Sequence, residues 1–436
     1  MPQIEPKLLQ GFFDYTPKQM AIRQYVIEKW RNIFRSFGYG QLETPVLEYA
    51  DVLMGKYGEE EKLIYHFYDH GERHIAMRYD QTVPFARFVA INKDNLKFPY
   101  KRYEINRVWR AEAARRGRKR EFYQCDIDIV GTESLMADAE ILQVLHYGFL
   151  EFNLPKHVIH ISHRKILESF LATLDLEKDK FIEVNRSIDK LDKVGIDGVI
   201  QEMKERGIKE PNISKIIEFI SIKGEIYDVL NFLRDKLQDS EIGLKAVLEL
   251  ETLFKLLKEM NISDNYLSFN PSLVRGLDYY TGAVFELKIE EFGASALAGG
   301  GRYDNLCGIF LDDVQISGVG VAVGFERLCL LIEENNIPIK SNVNTQILVT
   351  VFSDNLRQNS LEAASVLRKL GINTEIYLEN DKIAKQFKYA DKNNIPFVLI
   401  IGEEEVKKEV VILKDMINGD QREVNLKDVL KSLETS

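Results

Sequence analysis

Between Gln19 and Phe37 apolar residues recur every three or four positions, at Ile22, Tyr25, Val26, Trp30, Ile33 and Phe34, the period of a helix with one buried face. Gly38 follows as its stop. Beyond Pro45 the period shortens: residues 73–78, 100–109 and 121–130 are rich in aromatic and β-branched side chains and predict strands. Only a short polar loop separates the last two, so the three predict antiparallel strands of a broad sheet. Residues 132–152 return to the helical period, with Thr132 as the expected cap.

From about 164 to 260 strand signals fade, and Val247, Leu250, Leu253, Leu256 and Leu257 mark a helical stripe in a Lys/Glu/Leu-rich stretch. This predicts a helical insertion over 164–260. Strands resume at 283–289 and 318–324, followed by a helix over 325–334. Residues 335–344, with Pro338, Ser341 and several asparagines, read as a linker. After it, strand (346–352), helix (360–370), strand (373–377), helix (382–392) and strand (397–401) alternate, the pattern of a separate α/β domain with a mostly parallel sheet. The expected organisation is an α+β body in two pieces, 1–163 and 261–338, interrupted by the insertion and followed by an α/β domain over 345–436.

The chain has 436 residues, long enough for several cores, and 45% of them are hydrophobic. With 58 Lys and Arg against 68 Asp and Glu, its net charge of −10 argues against indiscriminate polyanion binding. No signal segment and no run of roughly 18 apolar residues is visible, so no membrane contact is expected. Cys125, Cys307 and Cys329 are widely spaced, which speaks against a disulfide framework and fits a reducing cytoplasm. His66, His70 and His74 would share a helical face, but Gly71 interrupts them and no acidic or cysteine pattern joins them, so no metal site is expected.

Two clusters change this picture. Within 101–120 nine basic residues (Lys101, Arg102, Arg107, Arg110, Arg115, Arg116, Arg118, Lys119, Arg120) face only Glu104 and Glu112. Such a run could be a solvated hairpin tip. However, Arg110 ends one strand, while Gln124, Asp126 and Asp128 project from one face of the next, which favours a polar pocket. The second cluster is Leu273-Val274-Arg275-Gly276-Leu277-Asp278-Tyr279-Tyr280-Thr281-Gly282 together with Gly299-Gly300-Gly301-Arg302-Tyr303-Asp304. Consecutive glycines let backbone approach a ligand, although a plain glycine-rich turn would look the same. The second cluster lacks the GK[ST] ending of a P-loop, and Gly318 to Gly324 only approximates a dinucleotide fingerprint. Phe325-Glu326-Arg327-Leu328 places an arginine at the start of a helix just after that glycine-rich strand. Lys382, Lys385, Lys388 and Lys392 share one helical face, either solvated or suited to phosphates.

These residues resemble histidyl-tRNA synthetase, a class II aminoacyl-tRNA synthetase family. Gly11-Phe12-Phe13-Asp14-Tyr15 is similar to its opening, and the helix leading to Pro45 to motif 1. Val108-Trp109-Arg110-Ala111-Glu112 through Phe122 is similar to motif 2, and Gly324-Phe325-Glu326-Arg327-Leu328 to motif 3. The pair Arg275 to Tyr280 and Gly299 to Asp304 resembles the two histidine signatures, and Lys385 to Asp391 the anticodon-binding domain. The resemblance implies a mainly antiparallel catalytic domain of the class II type, a C-terminal anticodon-binding domain and a homodimer. It implies ATP as substrate with Mg²⁺, and formation of histidyl-adenylate and pyrophosphate before transfer of histidine to its tRNA. Arg110, Arg275 and Arg327 would be catalytic, on the α-phosphate, the α-phosphate and the γ-phosphate respectively. Glu112 would meet the adenine, Phe122 stack on it and Arg118 reach the outer phosphates. Asp80, Thr82 and Gln124 would hold the α-ammonium of histidine and Asp128 and Tyr280 its ring nitrogens, with Tyr279 and Tyr303 lining the pocket. Arg115, Arg116, Lys382, Lys385 and Lys388 would meet tRNA. Ala113-Ala114 stands where many bacterial members carry Arg-Pro, so Arg115 and Arg116 are the cations left for the 5′ guanosine of histidine tRNA. A non-catalytic relative, the synthetase-like regulatory subunit of ATP phosphoribosyltransferase, is the competing reading. It usually lacks the last domain and the catalytic arginines.

Overall fold

The computed structural model describes residues 4–114, 117–174, 176–274, 279–293, 295–311, 314–339 and 345–434. The chain forms two compact units, Met1–Ile339 and Lys340–Ser436. In the first, helix α1 (Pro17–Ser36) opens with a reciprocal capping box between Thr16 and Gln19 ahead of Pro17, and Gly38 beyond its end has a φ of 80°, which glycine adopts without strain.

Eleven strands follow among the described residues: β1 (Gly40–Gln41), β2 (Leu47–Tyr49), β3 (His66–Tyr68), β4 (His74–Met77), β5 (Tyr100–Trp109), β6 (Glu121–Val130), β7 (His157–His163), β8 (Leu267–Phe269), β9 (Ala283–Ile289), β10 (Ala298–Tyr303) and β11 (Gly318–Val323). Eight build one sheet in the order β1-β5-β6-β11-β10-β9-β7-β8. Its six central strands are antiparallel and only the edge strands β1 and β8 pair in parallel, so the mainly antiparallel body expected from the patterning is present.

Between the strands lie α2 (Ala50–Leu53), α3 (Thr82–Asn92) and α4 (Leu135–Leu150). The apolar side chains of α1 and α4 share one core with those of the sheet: Trp30 stacks on Phe34 and meets Phe149 and Phe152 with ring centroids 5.4 to 5.7 Å apart. Residues 164–259 fold as α5 (Arg164–Ala172), α6 (Lys178–Ile188), α7 (Leu191–Glu205), α8 (Glu210–Ile220), α9 (Ile226–Lys236) and α10 (Glu241–Glu259), and α11 (Phe325–Glu334) follows β11 directly. The stripe residues Val247, Leu250, Leu253 and Leu257 are buried on α10.

Several local expectations are corrected. The strand expected at 73–78 is β4, which lies in a separate three-stranded sheet, β2-β4-β3, because its hydrogen bonds go to strands close in sequence. His66 and His74 therefore sit on two strands of a hairpin, with ring nitrogens 3.1 Å apart, and share no helical face. The cap of α4 is Ser134, whose hydroxyl accepts from the Met136 amide; Thr132 caps the turn before it by accepting from the Ser134 amide.

The second unit contains β12 (Ile347–Val349), α12 (Arg357–Lys369), β13 (Thr374–Ile376), α13 (Ile383–Lys392), β14 (Phe397–Ile400), α14 (Glu403–Lys408), β15 (Val411–Asp415), β16 (Gln421–Val424) and α15 (Val429–Glu434). Its sheet order is β13-β12-β14-β15-β16, parallel among the first three strands and antiparallel in the last two pairings, so it is mixed where a mostly parallel sheet was expected. The short α14 leaves too little chain between β14 and β15 for a parallel crossover. No helix among the described residues is long and apolar enough to cross a membrane.

Candidate active site

Alternation along β6 divides the sheet's two faces. Cys125, Ile127 and Ile129 enter the apolar core, while Phe122, Gln124, Asp126 and Asp128 line a cavity of about 580 Å³. On the next strand, β11, Gly320 pairs with Asp128 and Ala322 with Asp126, and on β10 Gly301 pairs with Gly320. These small residues clear the floor. A Cβ on Gly320 would lie 1.9 Å from Asp128 Oδ1, and one on Gly301 would lie 2.7 Å from the Ala283 carbonyl oxygen.

In this cavity Asp128 is held from two sides. The Tyr303 hydroxyl donates to its Oδ1 at 2.6 Å, and the buried Arg102 guanidinium lies 2.7 Å from its Oδ2. Burial pushes the Asp128 carboxyl above its ordinary value, against the charge of Arg102 and the Tyr303 hydrogen bond. Asp80 stands at the start of α3. Its Oδ1 accepts from the Tyr57 hydroxyl (2.9 Å) and from the amides of Thr82 and Val83, while its Oδ2 is buried without a partner among the described residues. Burial also raises the Asp80 carboxyl, and the amide and Tyr57 hydrogen bonds and the charge of Arg110 only partly oppose this.

Cations line the same cavity. Arg110 donates from Nε to the Tyr79 carbonyl, and its guanidinium carbon lies 4.2 Å from the centre of the Tyr79 ring and 5.2 Å from that of Phe122. Arg118 pairs with Glu112 at 2.8 Å, and Arg327 donates to the Ala296 carbonyl. Behind Arg327, Glu326 binds Arg23 of α1 with both oxygens and Lys119 of the β5–β6 loop at 2.6 Å. Burial would raise the Glu326 carboxyl, but the hydrogen bond and charge of Arg23, with Lys119, hold it below its ordinary value. One carboxylate thus ties together the first helix, the β5–β6 loop and the helix carrying Arg327.

Asp80, Thr82, Arg110, Glu112, Arg118, Phe122, Gln124, Asp128, Tyr279, Tyr280, Tyr303 and Arg327, drawn from distant parts of the chain, all line this cavity. Arg275, Arg115 and Arg116 lie outside the described residues. Lys382, Lys385 and Lys388 are exposed in the second unit, at the start of and along α13, and Lys385 pairs with Asp381 at 2.9 Å. The basic run at 101–120 is less available than its linear count suggests: Lys101 pairs with Glu140, Arg102 with Asp128, Arg107 with Glu121 and Lys119 with Glu326. Tyr57 and Arg102, which orient Asp80 and Asp128, carried no motif. Asp126 stood in the alternation, but no role followed from it. A dinucleotide site at Gly318 to Gly324 is ruled out, because β11 is antiparallel to both neighbours and forms no parallel βαβ unit.

Residues 11–328 match the sequence family described as Histidyl-tRNA synthetase, and residues 338–435 the family described as Anticodon binding domain. The chain is 38% identical to the histidine–tRNA ligase of Cytophaga hutchinsonii, over 98% of this chain and 99% of that protein. Its fold is similar to the crystal structure of histidyl-tRNA synthetase from Nostoc sp., with a TM-score of 0.86, 31% identity, and coverage of 99% of this chain and 100% of that one. It is also similar to an ATP phosphoribosyltransferase regulatory subunit/histidyl-tRNA synthetase from Bacillus halodurans, with a TM-score of 0.75 over 91% of this chain and 98% of that one; at 21% identity this is a likeness of fold alone.

Proposed function

The chain belongs to the histidyl-tRNA synthetase family, and from that premise we propose that it is a histidine–tRNA ligase working through the cavity on the β6–β11–β10 face. The observation that carries this reading is the lining of a single cavity, in which the acceptors of Asp80, Gln124 and Asp128 and the cations of Arg110 and Arg327 stand together over a glycine-cleared floor.

The chemistry suits that layout. The substrate carboxylate is already ionised, so attack on the α-phosphorus of ATP needs no strong base. A carboxylate oxygen–phosphorus bond forms, the bond to pyrophosphate breaks, and histidyl-adenylate results. A hydroxyl of the terminal tRNA ribose then attacks the acyl carbon and AMP leaves. Catalysis rests on positioning and on cations placed where charge develops on phosphoryl oxygens, and arginine supplies a permanent, fork-shaped cation for this. Arg110 and Arg275 act on the α-phosphate and Arg327 on the γ-phosphate; Phe122 stacks on the adenine, Glu112 meets its edge and Arg118 reaches the outer phosphates. Mg²⁺ enters as part of the substrate, on the ATP phosphates, as a hard cation that keeps few protein ligands.

Asp80, Thr82 and Gln124 take the α-ammonium and Asp128 with Tyr280 the two ring nitrogens, with Tyr279 and Tyr303 as walls. A site that hydrogen-bonds a polar side chain rejects analogues lacking it by about 10⁴-fold or more. Lys382, Lys385 and Lys388, with Arg115 and Arg116, contact tRNA. A second copy of the chain covers the exposed Leu47, Tyr49, Phe67 and Tyr68 of the small sheet, giving a homodimer that light scattering would register. A cytoplasmic setting fits the three cysteines, all buried and unpaired. Against the regulatory-subunit reading stand the residues matching an anticodon-binding domain and the arginines kept in the cavity. The deciding measurement is ATP–pyrophosphate exchange with and without histidine, followed by aminoacylation of histidine tRNA. Exchange that ignores histidine, or none at all, overturns the proposal.

A further inference from the structure

Beneath the cavity the buried charges do not balance. Arg78 and Arg102 are wholly buried, and four carboxyl groups, Asp80, Glu104, Asp126 and Asp128, lie with them, none more than 3% exposed. Arg78 pairs with Glu104 at 2.8 Å and Arg102 with Asp128 at 2.7 Å. Asp126 forms neither a hydrogen bond nor an ion pair with any described residue, and both of its oxygens are orphaned. Beside it Gln124 Oε1 and Asp80 Oδ2 are orphaned too, and all three residues line the cavity.

These four orphans, on residues that line the cavity, are all acceptors, whereas the orphaned donors Arg78 Nη2, Arg102 Nε and Arg102 Nη1 belong to residues that do not line it. Buried acceptors left unpaired are costly, so the partner this site is built for is a donor with several N–H groups. With Arg110, whose charge also reaches Asp80, the four carboxyl groups still outnumber the three arginines, which makes that donor a cation. A primary ammonium meets both conditions, with three N–H donors on one compact charge.

We propose that Asp126 is a further substrate-binding residue, closing with Asp80 and Gln124 an acceptor cage around the α-ammonium of the amino-acid substrate. The proposal rests on the reading above, in which Asp80, Thr82 and Gln124 take the ammonium and Asp128 the imidazole, and it adds the residue between them. Asp126 lies two residues from each of Gln124 and Asp128 on the same strand face, about 7 Å along the strand, beneath the link between the backbone and ring ends of the substrate. Its carboxylate therefore selects for a charged amine.

The test is Asp126→Asn, which keeps the shape and removes the charge, assayed by histidine-dependent pyrophosphate exchange. The expected result is a rise in KM for histidine on the order of 10- to 100-fold, the scale of one charge-assisted hydrogen bond, with KM for ATP and kcat changed much less. Inhibition by imidazole propionate, which lacks the amine, should stay as in the unaltered protein. An unchanged KM for histidine overturns the proposal, and so does an equal loss for histidine and imidazole propionate, which would mark a general distortion. Should Asp126→Asn not fold, Asp126→Ser is judged by the same criteria. If the unaltered protein shows no histidine-dependent exchange, the ligase reading itself fails. Exchange in the unaltered protein with no shift in the variant removes Asp126 alone.

Discussion

In the proposed reading Asp128 serves the substrate as well as the fold, and substitutions separate the two roles. It balances Arg102, which is fully buried, while its other oxygen receives the Tyr303 hydroxyl. Asp128→Ala leaves a buried guanidinium without its closest counter-charge, so it should destabilise the protein by about 3–5 kcal/mol as well as abolish exchange. Asp128→Asn keeps the volume and one carbonyl acceptor, and should lose histidine-dependent exchange by at least about 100-fold while ATP still binds; calorimetry and exchange read the two effects. A variant that retained exchange would remove Asp128 from histidine recognition. Asp126 makes the opposite trade. Burial, against the charge of Arg102 and with Asp128, Asp80 and Glu104 near, holds its carboxyl well above the ordinary 3.8. A raised carboxyl contributes its stability at low pH and loses it as pH rises, so the substrate-free protein is penalised at neutral pH. Asp126→Asn should therefore melt a few degrees above the unaltered protein near pH 7, with the gap closing as pH falls toward 3.8, in melting curves recorded without substrates. At this scale the sequence showed acidic and amide groups on one strand face. It could not show Tyr57 or Arg102 as their partners, because those contacts join residues far apart in the chain.

The element that decides the site is a strand pair. β6 presents Gln124, Asp126 and Asp128 upward, and β11 answers with Gly320 and Ala322 at matching positions. The room above Asp128 exists because Gly320 has no side chain. Gly320→Ala would put a methyl 1.9 Å from Asp128 Oδ1, so the carboxylate or the strand must move. A displacement of about 1 Å costs roughly 10²-fold in rate where positioning carries the reaction, so Gly320→Ala should lower exchange by that order. Exchange within a factor of about two of the unaltered protein would show that the floor tolerates a side chain. The helix α1, the long strands β5 and β6 and the helical run from 164 to 259 were legible from period alone, because each buries one face over many residues. The small sheet was not. Strands as short as β2, β3 and β4 are too brief to reveal which sheet will pair with them.

For the whole molecule, the −10 charge and an expected tRNA partner reconcile only locally. Several cations of the 101–120 run are already engaged by carboxylates, so the proposed tRNA contact draws more on the exposed lysines at 382, 385 and 388. Lys382→Glu combined with Lys388→Glu should raise the KM for tRNA roughly tenfold and flatten its dependence on salt, since each lost phosphate contact removes about one from the slope of log affinity against log salt. Pyrophosphate exchange, which needs no tRNA, should not change; if it falls as well, those lysines act on the fold instead. The long elements, the helical run and the motifs carrying Arg110, Arg327 and the tyrosines follow from periodicity and residue type, which are local properties. Which carboxylate is balanced by which arginine, that one sheet is mixed and another separate, and that Asp126 is buried without a partner among the described residues are matters of tertiary structure. Burial and charge pairing depend on residues brought together from across the chain, and no window of sequence contains them.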